Sequence, residues 1–289
     1  MKQSLLIRRT EIKIAMRISD LTCDDNHIKV KFDDPLITVM SALARGANAL
    51  LVTDNDDKLR GVITISRVLN LLSAFGLGSR FIDSSISLFI DDRPLFMHYG
   101  YPIEAALQLM IEEGKSYLVA VDGLKAMSML THKCILKRLL KAELNINLDK
   151  LSLKNVITLL AHNSLAEAYK AMLEMGYYEV PIVEDEIIGI LKANDIISEV
   201  INRGFRELRT MKAYDKCEII ERPAENFNEA LELALKENLN LIPILKSNGE
   251  QGFVRLEDLF FQAIRELGAF KVAEMIKTIP GDILVESKG

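Results

Sequence analysis

One pattern occurs four times along this chain of 289 residues: an amphipathic helix, an apolar strand, a turn, a second apolar strand and another helix. The positions that start the last helix of each copy are Arg67, Cys134, Asp195 and Asp258, which lie 67, 61 and 63 residues apart. Near-equal periods with the same internal order indicate a repeat in which each copy folds as one supersecondary unit. We therefore predict four βαββα units in the α+β class.

The third copy shows the pattern most clearly. Ser164 begins a capping box before a helix over 165–175, whose apolar residues share one face. The apolar segments 179–183 and 187–191 predict two strands joined by a short acidic turn. We expect Asp195 to open the helix that follows.

The other copies keep this order. In the first copy, Asp34 and Pro35 are predicted as the N-cap and the first helical residue. The first helix and the two strands are predicted at 227–236, 241–245 and 252–254 in the fourth copy, at 35–45, 49–52 and 61–63 in the first, and at 102–113, 117–121 and 127–130 in the second.

These periods predict the division of the chain. We expect an N-terminal segment at 1–13, units at 14–78, 79–142, 143–204 and 205–270, and a C-terminal tail at 271–289.

Composition narrows the class of protein. Hydrophobic residues at 49% allow substantial cores, and a net charge of −5 gives no reason to expect nucleic acid. Because no run of 18 apolar residues occurs, we predict no membrane span and a cytoplasmic protein. Cys23, Cys134 and Cys217 are odd in number and widely spaced, which predicts neither a disulfide framework nor a zinc site.

The strand and turn motifs resemble those of the cystathionine β-synthase (CBS) domain. An apolar-Pro-apolar strand is followed by Gly and, six residues later, by Asp at 180–195 and again at 242–258. The first copy matches from Gly61 but ends in Arg67, and the second lacks both the Gly and the Asp. The resemblance covers roughly residues 14 to 268.

This resemblance implies an arrangement and a role. CBS units pair about a pseudo-twofold axis into Bateman modules, so copies one and two would form one module and copies three and four another. The whole would be similar to the γ subunit of AMP-activated protein kinase. The clefts between paired units would hold AMP, ADP, ATP or S-adenosylmethionine.

The family's ribose-binding carboxylate falls on Asp195 and Asp258, and its phosphate-facing hydroxyl is replaced by Lys192 and Arg255. We therefore predict ribose contacts for the two aspartates and phosphate contacts for the two cations. The predicted adenine walls are Ile157, Thr158, Tyr178, Val180, Pro181, Ile219, Ile220, Arg222, Leu241, Ile242 and Pro243.

Two alternatives remain open for these residues. An Asp in the first turn of a helix is stabilising without any ligand, and the two cations could reach solvent or pair with neighbouring acids. Copies one and two keep the capping hydroxyl but lose the Asp, whereas copies three and four do the reverse. A capping box needs both partners, so it explains neither pair, and the retained carboxylates favour a ligand.

The first module departs from the family pattern. Arg67 cannot accept hydrogen bonds from ribose hydroxyls, and Cys134 accepts them only weakly. We expect that module to be empty, to bind a ligand differently or to serve as a docking surface. The histidines, none in a metal-binding spacing, are predicted as surface or turn residues: His27, His98, His132 and His162.

No nucleophile elbow, Walker motif or dinucleotide fingerprint with the required context occurs, and four repeats occupy nearly the whole chain. We predict no enzyme activity and no catalytic cofactor. The predicted function is a regulatory sensor that binds an adenine nucleotide mainly in its second module and acts as a homodimer or on a partner protein. The alternatives are an interaction scaffold with degenerate clefts, which would grip its partner through the N-terminus or 269–279, and an S-adenosylmethionine-binding regulator.

Overall fold

The computed structural model describes residues 15–21, 29–75, 84–140, 142 and 144–278. The predictions for the segment 1–13, for Cys23, for His27 and for 279–289 lie outside these ranges. Within them, the predicted order of helices and strands is confirmed, and the fold is α+β.

The helices are α1 (Leu36–Ala44), α2 (Ile65–Phe75), α3 (Ile103–Glu112), α4 (His132–Leu139), α5 (Leu165–Met175), α6 (Ala193–Arg203), α7 (Phe227–Lys236), α8 (Leu256–Leu267) and α9 (Ala269–Thr278). The strands are β1 (Lys29–Lys31), β2 (Ala49–Thr53), β3 (Leu59–Thr64), β4 (Phe96–His98), β5 (Tyr117–Asp122), β6 (Lys125–Thr131), β7 (Leu159–Leu160), β8 (Glu179–Val183), β9 (Ile187–Lys192), β10 (Glu218–Ile219), β11 (Leu241–Leu245) and β12 (Gln251–Arg255).

Units 1, 2 and 3 each contain a three-stranded arrangement in which the first strand pairs parallel to the second and the second pairs antiparallel to the third. Unit 4 differs. Its strand β10 pairs antiparallel with β9 of unit 3, and β11 and β12 form a two-stranded sheet. A single parallel bridge between Ala224 and Ile244 stands where the first strand of a βαββα unit would lie.

The glycine of the repeated motif is required by a close approach. A Cβ atom at Gly189 would lie 2.5 Å from Cys217 Sγ and 2.8 Å from the carbonyl oxygen of Glu218. In unit 1, Gly61 has φ of +154°, and a Cβ there would collide with Ile90 and the Asp91 carbonyl. The segment that leads into the next unit therefore lies directly against the second motif strand.

Two predicted helix starts are wrong by a few residues. Helix α6 begins at Ala193 and α8 at Leu256, so Asp195 and Asp258 occupy the third helical position rather than opening the helix. Pro35 is the N-cap of α1 and not its first helical residue, because its ψ of 152° is extended.

The sheets pack in pairs, as the predicted modules require. Units 1 and 2 share an apolar core that includes Leu51, Val62, Val119 and Met129. Units 3 and 4 share a core that comprises Ile190, Ile220, Leu239, Leu241 and Phe253. Each pair is one module, with the apolar face of one sheet covering that of its neighbour.

The helices join the two modules. One core contains residues of units 1 and 3, with α1 and α2 against α6, and another contains residues of units 2 and 4, with α4 against α8. Each unit is thus packed through its sheet against one neighbour and through its helices against another. The four units surround a common centre in the order 1, 2, 4, 3.

Buried polar side chains reinforce the contact between units 1 and 3. Asn194 Nδ2 donates to the carbonyl oxygens of Leu43 at 2.7 Å and Ala47 at 3.0 Å. The buried Tyr169 hydroxyl donates to the Leu69 carbonyl oxygen at 2.8 Å. These bonds join side chains of unit 3 directly to backbone carbonyl groups of unit 1.

Residues 269–278 form helix α9, although the sequence placed 271–289 in a C-terminal tail. Val272, Ala273 and Ile276 are buried in the core of units 2 and 4, and α9 contacts α3 and α4. This segment is therefore part of the folded body.

The cysteine prediction is wrong for Cys134, which is disulfide-bonded, whereas Cys217 carries a free thiol. Sequence spacing could not reveal the bond because a disulfide depends on separation in space. None of the described helices combines the length and apolarity that crossing a bilayer demands.

We expect Asn194→Ala to lower the free energy of unfolding by about 1 to 3 kcal/mol, because the hydrogen bonds from its amide to the carbonyl oxygens of Leu43 and Ala47 are lost. The matched control is Asn202→Ala, since the exposed Asn202 donates only to Ser198 on the same helix at 3.5 Å. Urea denaturation of both variants measures the difference. Equal stabilities would contradict a contribution of the Asn194 bonds to the packing of units 1 and 3.

Candidate functional site

A cavity of about 1450 Å³ lies where the four units meet. Its lining repeats one scheme: the turn before the second strand of each unit and the first turn of the last helix. The turn residues in the lining are 46–49 in unit 1, 116–117 in unit 2, 176–179 in unit 3, and 238 and 240–241 in unit 4. The cavity is therefore a property of the whole assembly of units.

The beginnings of four helices converge on this cavity. The lining includes residues from the N-cap to the second helical position of α2 and α4, Asn194 of α6, and Arg255 and Glu257 of α8. Free N–H groups and the positive end of the helix dipole favour anions at such positions. Four of them around one space make it suitable for an anionic ligand.

Charged side chains around the cavity are unevenly distributed. The first module contributes Arg45, His132, Lys133 and Lys137 and, among the described residues, no carboxylate to the lining. The second module contributes two arginines and a lysine, together with seven glutamates: Glu179, Glu218, Glu221, Glu229, Glu232, Glu237 and Glu257. The basic side of the cavity therefore belongs to the module that has lost the motif aspartates.

The predicted ribose carboxylates lie beside the cavity rather than in its lining. Asp195 Oδ2 accepts the backbone N–H of Lys192 at 3.3 Å, and burial raises the pKa of this carboxyl. The Asp195 carboxylate thus makes one of the two hydrogen bonds of a capping box. The other bond is missing because the Lys192 ammonium can only donate and cannot accept an N–H. A reciprocal capping box is thus absent at Asp195, but accepting the Lys192 N–H is a structural role of this carboxylate that the sequence did not reveal.

Asp258 is engaged differently. Arg255 Nε donates to Oδ2 of Asp258 at 2.7 Å and Arg255 Nη2 donates to Oδ1 at 2.6 Å. The guanidinium also lies 5.6 Å from the centre of the Tyr177 ring. Tyr177 belongs to unit 3, so this ion pair stands at the boundary between units 3 and 4.

The other predicted phosphate cation is also paired. Lys192 Nζ lies 3.3 Å from Glu218 Oε2 and donates to the Glu237 carbonyl oxygen at 3.2 Å. Pairing with neighbouring acids was one of the alternatives left open by the sequence. The structure has this arrangement for both cations, with Glu218 rather than Asp195 as the partner of Lys192.

The predicted adenine walls divide into three groups. Tyr178, Ile219, Arg222 and Leu241 line the cavity. Ile157 and Thr158 are exposed, and Ile157 N–H points to the sulfur of Met175 at 3.1 Å. The rest are buried within the protein and present no surface to the cavity: Val180, Pro181, Ile220, Ile242 and Pro243.

Sequence reasoning missed Glu179, the first residue of β8. Its carboxylate is buried and accepts hydrogen bonds from Asn240 N, Asn240 Nδ2 and Leu241 N at 2.6 to 2.9 Å. Burial raises its pKa, while these donors and the charge of Lys133 oppose the rise. Lys133 Nζ in turn donates to Asn238, so units 2, 3 and 4 are tied together beside the cavity.

In the first module, the residues that replace the motif aspartates are used elsewhere. Arg67 Nε donates to the Phe89 carbonyl oxygen at 2.7 Å, and Cys134 is buried. Thr64 and Thr131 accept the N–H groups of these two residues, which confirms them as helix caps.

Lys133 and His132 were not predicted as site residues, although the repeat contained a signal for them. The residue one place before each aligned Arg, Cys or Asp lines the cavity in all four units: Ser66, Lys133, Asn194 and Glu257. Comparing this column of the repeat would have pointed to Lys133. His98 and His162 are exposed, as predicted for surface residues.

Two segments, residues 18–74 and 149–202, match the family model of the CBS domain. They correspond to units 1 and 3, and units 2 and 4 repeat the same helices and paired strands. Units 1 and 3 are therefore CBS domains, and the two pairs of units have the tandem Bateman-module fold of the solved structures described below.

Two curated relatives are distant. An uncharacterised 33.4 kDa protein in a ribosomal RNA operon of Thermofilum pendens is 21% identical over 175 residues, 59% of this chain and 58% of the relative. Protein MJ0188 of Methanocaldococcus jannaschii is 21% identical over 137 residues, 47% of this chain and 51% of the relative. The chain thus spans less than two thirds of the length of either relative.

Solved structures share the fold over most of the chain. Protein MJ1225 of Methanocaldococcus jannaschii, described as a proposed archaeal homologue of γ-AMPK, has a TM-score of 0.69 and 15% identity, covering 85% of this chain and 99% of its own. An uncharacterised protein of Pyrococcus horikoshii has a TM-score of 0.54 and 19% identity, covering 85% and 98%. At these identities the similarity concerns the fold alone.

We expect Glu179→Ala to lower the free energy of unfolding by about 3 kcal/mol or more, because three donors, of which Leu241 N is buried, lose their acceptor at once. Urea denaturation followed by circular dichroism measures the change. Glu174→Ala is the control, since Glu174 is exposed and pairs only with Lys170 on the surface, and it should change stability by less than about 0.5 kcal/mol. Similar values for both variants would argue against a role of Glu179 in holding units 3 and 4 together.

Proposed function

We propose that this chain binds an adenine nucleotide at its central cavity and that binding regulates a partner protein. The observation that carries the proposal is the convergence of four helix N-termini on one cavity, with a basic side formed by Lys133, Lys137 and His132. Because phosphate groups are favoured at helix N-termini, this combination supports a phosphorylated ligand.

The nucleotide would lie across the boundary between units. Its phosphates would face the cavity, where Lys133 and the helix N-termini supply positive charge. The ribose hydroxyls would donate to Asp195, whose Oδ1 has no hydrogen-bond donor among the described residues. The base would rest on Tyr178, Ile219 and Leu241, which line the same cavity.

A ligand in this position contacts several units at once. It can shift their arrangement only if it binds one arrangement more tightly than another. Since each unit packs against two neighbours, a change in one contact is passed to the other pair. The partner protein, association as a homodimer and location in the cytoplasm stay predictions from the sequence.

We expect Asp195→Asn to weaken AMP binding at the position where the ribose contacts Asp195 by about tenfold to a hundredfold, equivalent to about 1.4 to 2.7 kcal/mol. The asparagine oxygen can still accept the Lys192 N–H, so the helix start is preserved while the charge is lost. Isothermal titration with AMP, ADP and ATP measures the effect.

The matched control for this experiment is Asp185→Asn in the exposed turn of unit 3, which should leave the affinity unchanged. If the wild-type protein binds none of these nucleotides, nor adenosine, at millimolar concentration, the proposed function is wrong and the scaffold alternative gains support. Binding of S-adenosylmethionine in place of AMP would instead favour the alternative function of an S-adenosylmethionine-binding regulator.

Binding of a nucleoside at Asp195 should depend on pH. Burial holds the pKa of this carboxyl above its ordinary value, and only the ionised form is a strong acceptor for ribose hydroxyls. Adenosine affinity should therefore fall as pH is lowered from 7.5 to 5, towards the Asp195 pKa. Titrations of adenosine with Asp195→Asn should be flat over this range, and an equally steep profile in the variant would assign the pH dependence to another group.

A further inference from the structure

The two aspartates of the second module stand in unequal surroundings. Both oxygens of Asp258 accept hydrogen bonds from the Arg255 guanidinium, at 2.6 and 2.7 Å. Asp195 accepts only the Lys192 N–H, and the Lys192 ammonium is turned away to Glu218 and the Glu237 carbonyl. Asp195 therefore keeps one carboxylate oxygen without a donor among the described residues, whereas both oxygens of Asp258 are occupied.

The Arg255–Asp258 pair is well placed to resist a neutral ligand. It is bidentate, which is the strongest geometry for an arginine and a carboxylate, and the two side chains are only 38% and 22% exposed. The face of Tyr177 lies near the guanidinium, at 5.6 Å, and adds a further attraction. Breaking the pair leaves two charges without partners unless the ligand supplies replacements.

Arg255 is also placed to bind an anionic group of a ligand in exchange for the Asp258 carboxylate. It is the N-cap of α8, it lines the cavity, and a cation at a helix N-terminus is mildly unfavourable. An anion in the cavity would meet both the guanidinium and the free N–H groups of the first turn. The pair can therefore be exchanged for an Arg255–phosphate contact, which is equally suited to a bidentate fork.

We propose that Arg255 determines specificity at Asp258: it blocks this carboxylate against nucleosides and releases it only to a ligand that brings an anionic group for the guanidinium. The inference rests on the proposed function and refines it. Binding at Asp258 then selects nucleotides, whereas binding at Asp195 accepts nucleotides and nucleosides alike.

The experiment removes one aspartate so that binding at the other can be measured alone. Asp195→Asn leaves Asp258 as the intact ribose carboxylate, and isothermal titration then compares adenosine with AMP. We expect AMP to bind and adenosine to bind at least tenfold more weakly. Adding Arg255→Met should strengthen adenosine binding by about tenfold, because Asp258 is released, and should weaken AMP binding.

The matched control is Arg265→Met, the same substitution at an exposed position in the last turn of α8. In the Asp195→Asn background it should leave adenosine affinity within about twofold, because the donors to Asp258 come from Arg255. Arg255→Lys, which keeps the charge but not the fork, serves as a second variant should Arg255→Met fold poorly. It should also strengthen adenosine binding, to a smaller extent.

Unchanged or weaker adenosine binding in folded Arg255 variants would overturn the inference while leaving the proposed function intact, provided that wild type binds AMP. Failure of wild type to bind any adenosine ligand would overturn both. Equal adenosine and AMP affinities in Asp195→Asn would also contradict the inference, because the pair would then present no barrier to a nucleoside.

Discussion

Each unit of this chain has two apolar surfaces, one on its sheet and one on its helices, and neither can be left in water. Covering the sheets joins units 1 with 2 and 3 with 4, and covering the helices joins 1 with 3 and 2 with 4. The four contacts close on themselves and bring the same turn and helix N-terminus of every unit to one place. The cavity is thus a consequence of burying both surfaces of every unit.

Closure also explains how the site gains its charges. The motif aspartates are present in the second module, yet the cations on the opposite side of the cavity come from the first, through Arg45, Lys133 and Lys137. A module that has lost its own carboxylates can still supply counter-charges to a ligand held by its neighbour. In the proposed function, the ligand is therefore shared between the two modules.

Local sequence signals predicted most elements because their causes are local. The capping box at Ser164 begins α5, and α7, β8 and β11 occupy the predicted residues. The errors have non-local causes. Strand β10 joins the sheet of unit 3 because a glycine at position 189 admits it, and Cys134 forms a disulfide that spacing does not reveal. Asp195 was read as an unexplained carboxylate because its bond to the Lys192 backbone does not depend on residue type.

The sequence by itself determined the repeat, the order of elements in each unit and the pairing into modules that the motif resemblance implied. These follow from periodicity and residue chemistry, which act over a few positions. Only the tertiary structure decided that α6 packs on α1, that Glu179 holds the turn before β11, and that Arg255 rather than solvent occupies Asp258. These contacts depend on which surfaces meet in space. The sequence around a residue contains no signal for a contact partner that lies far away in the chain.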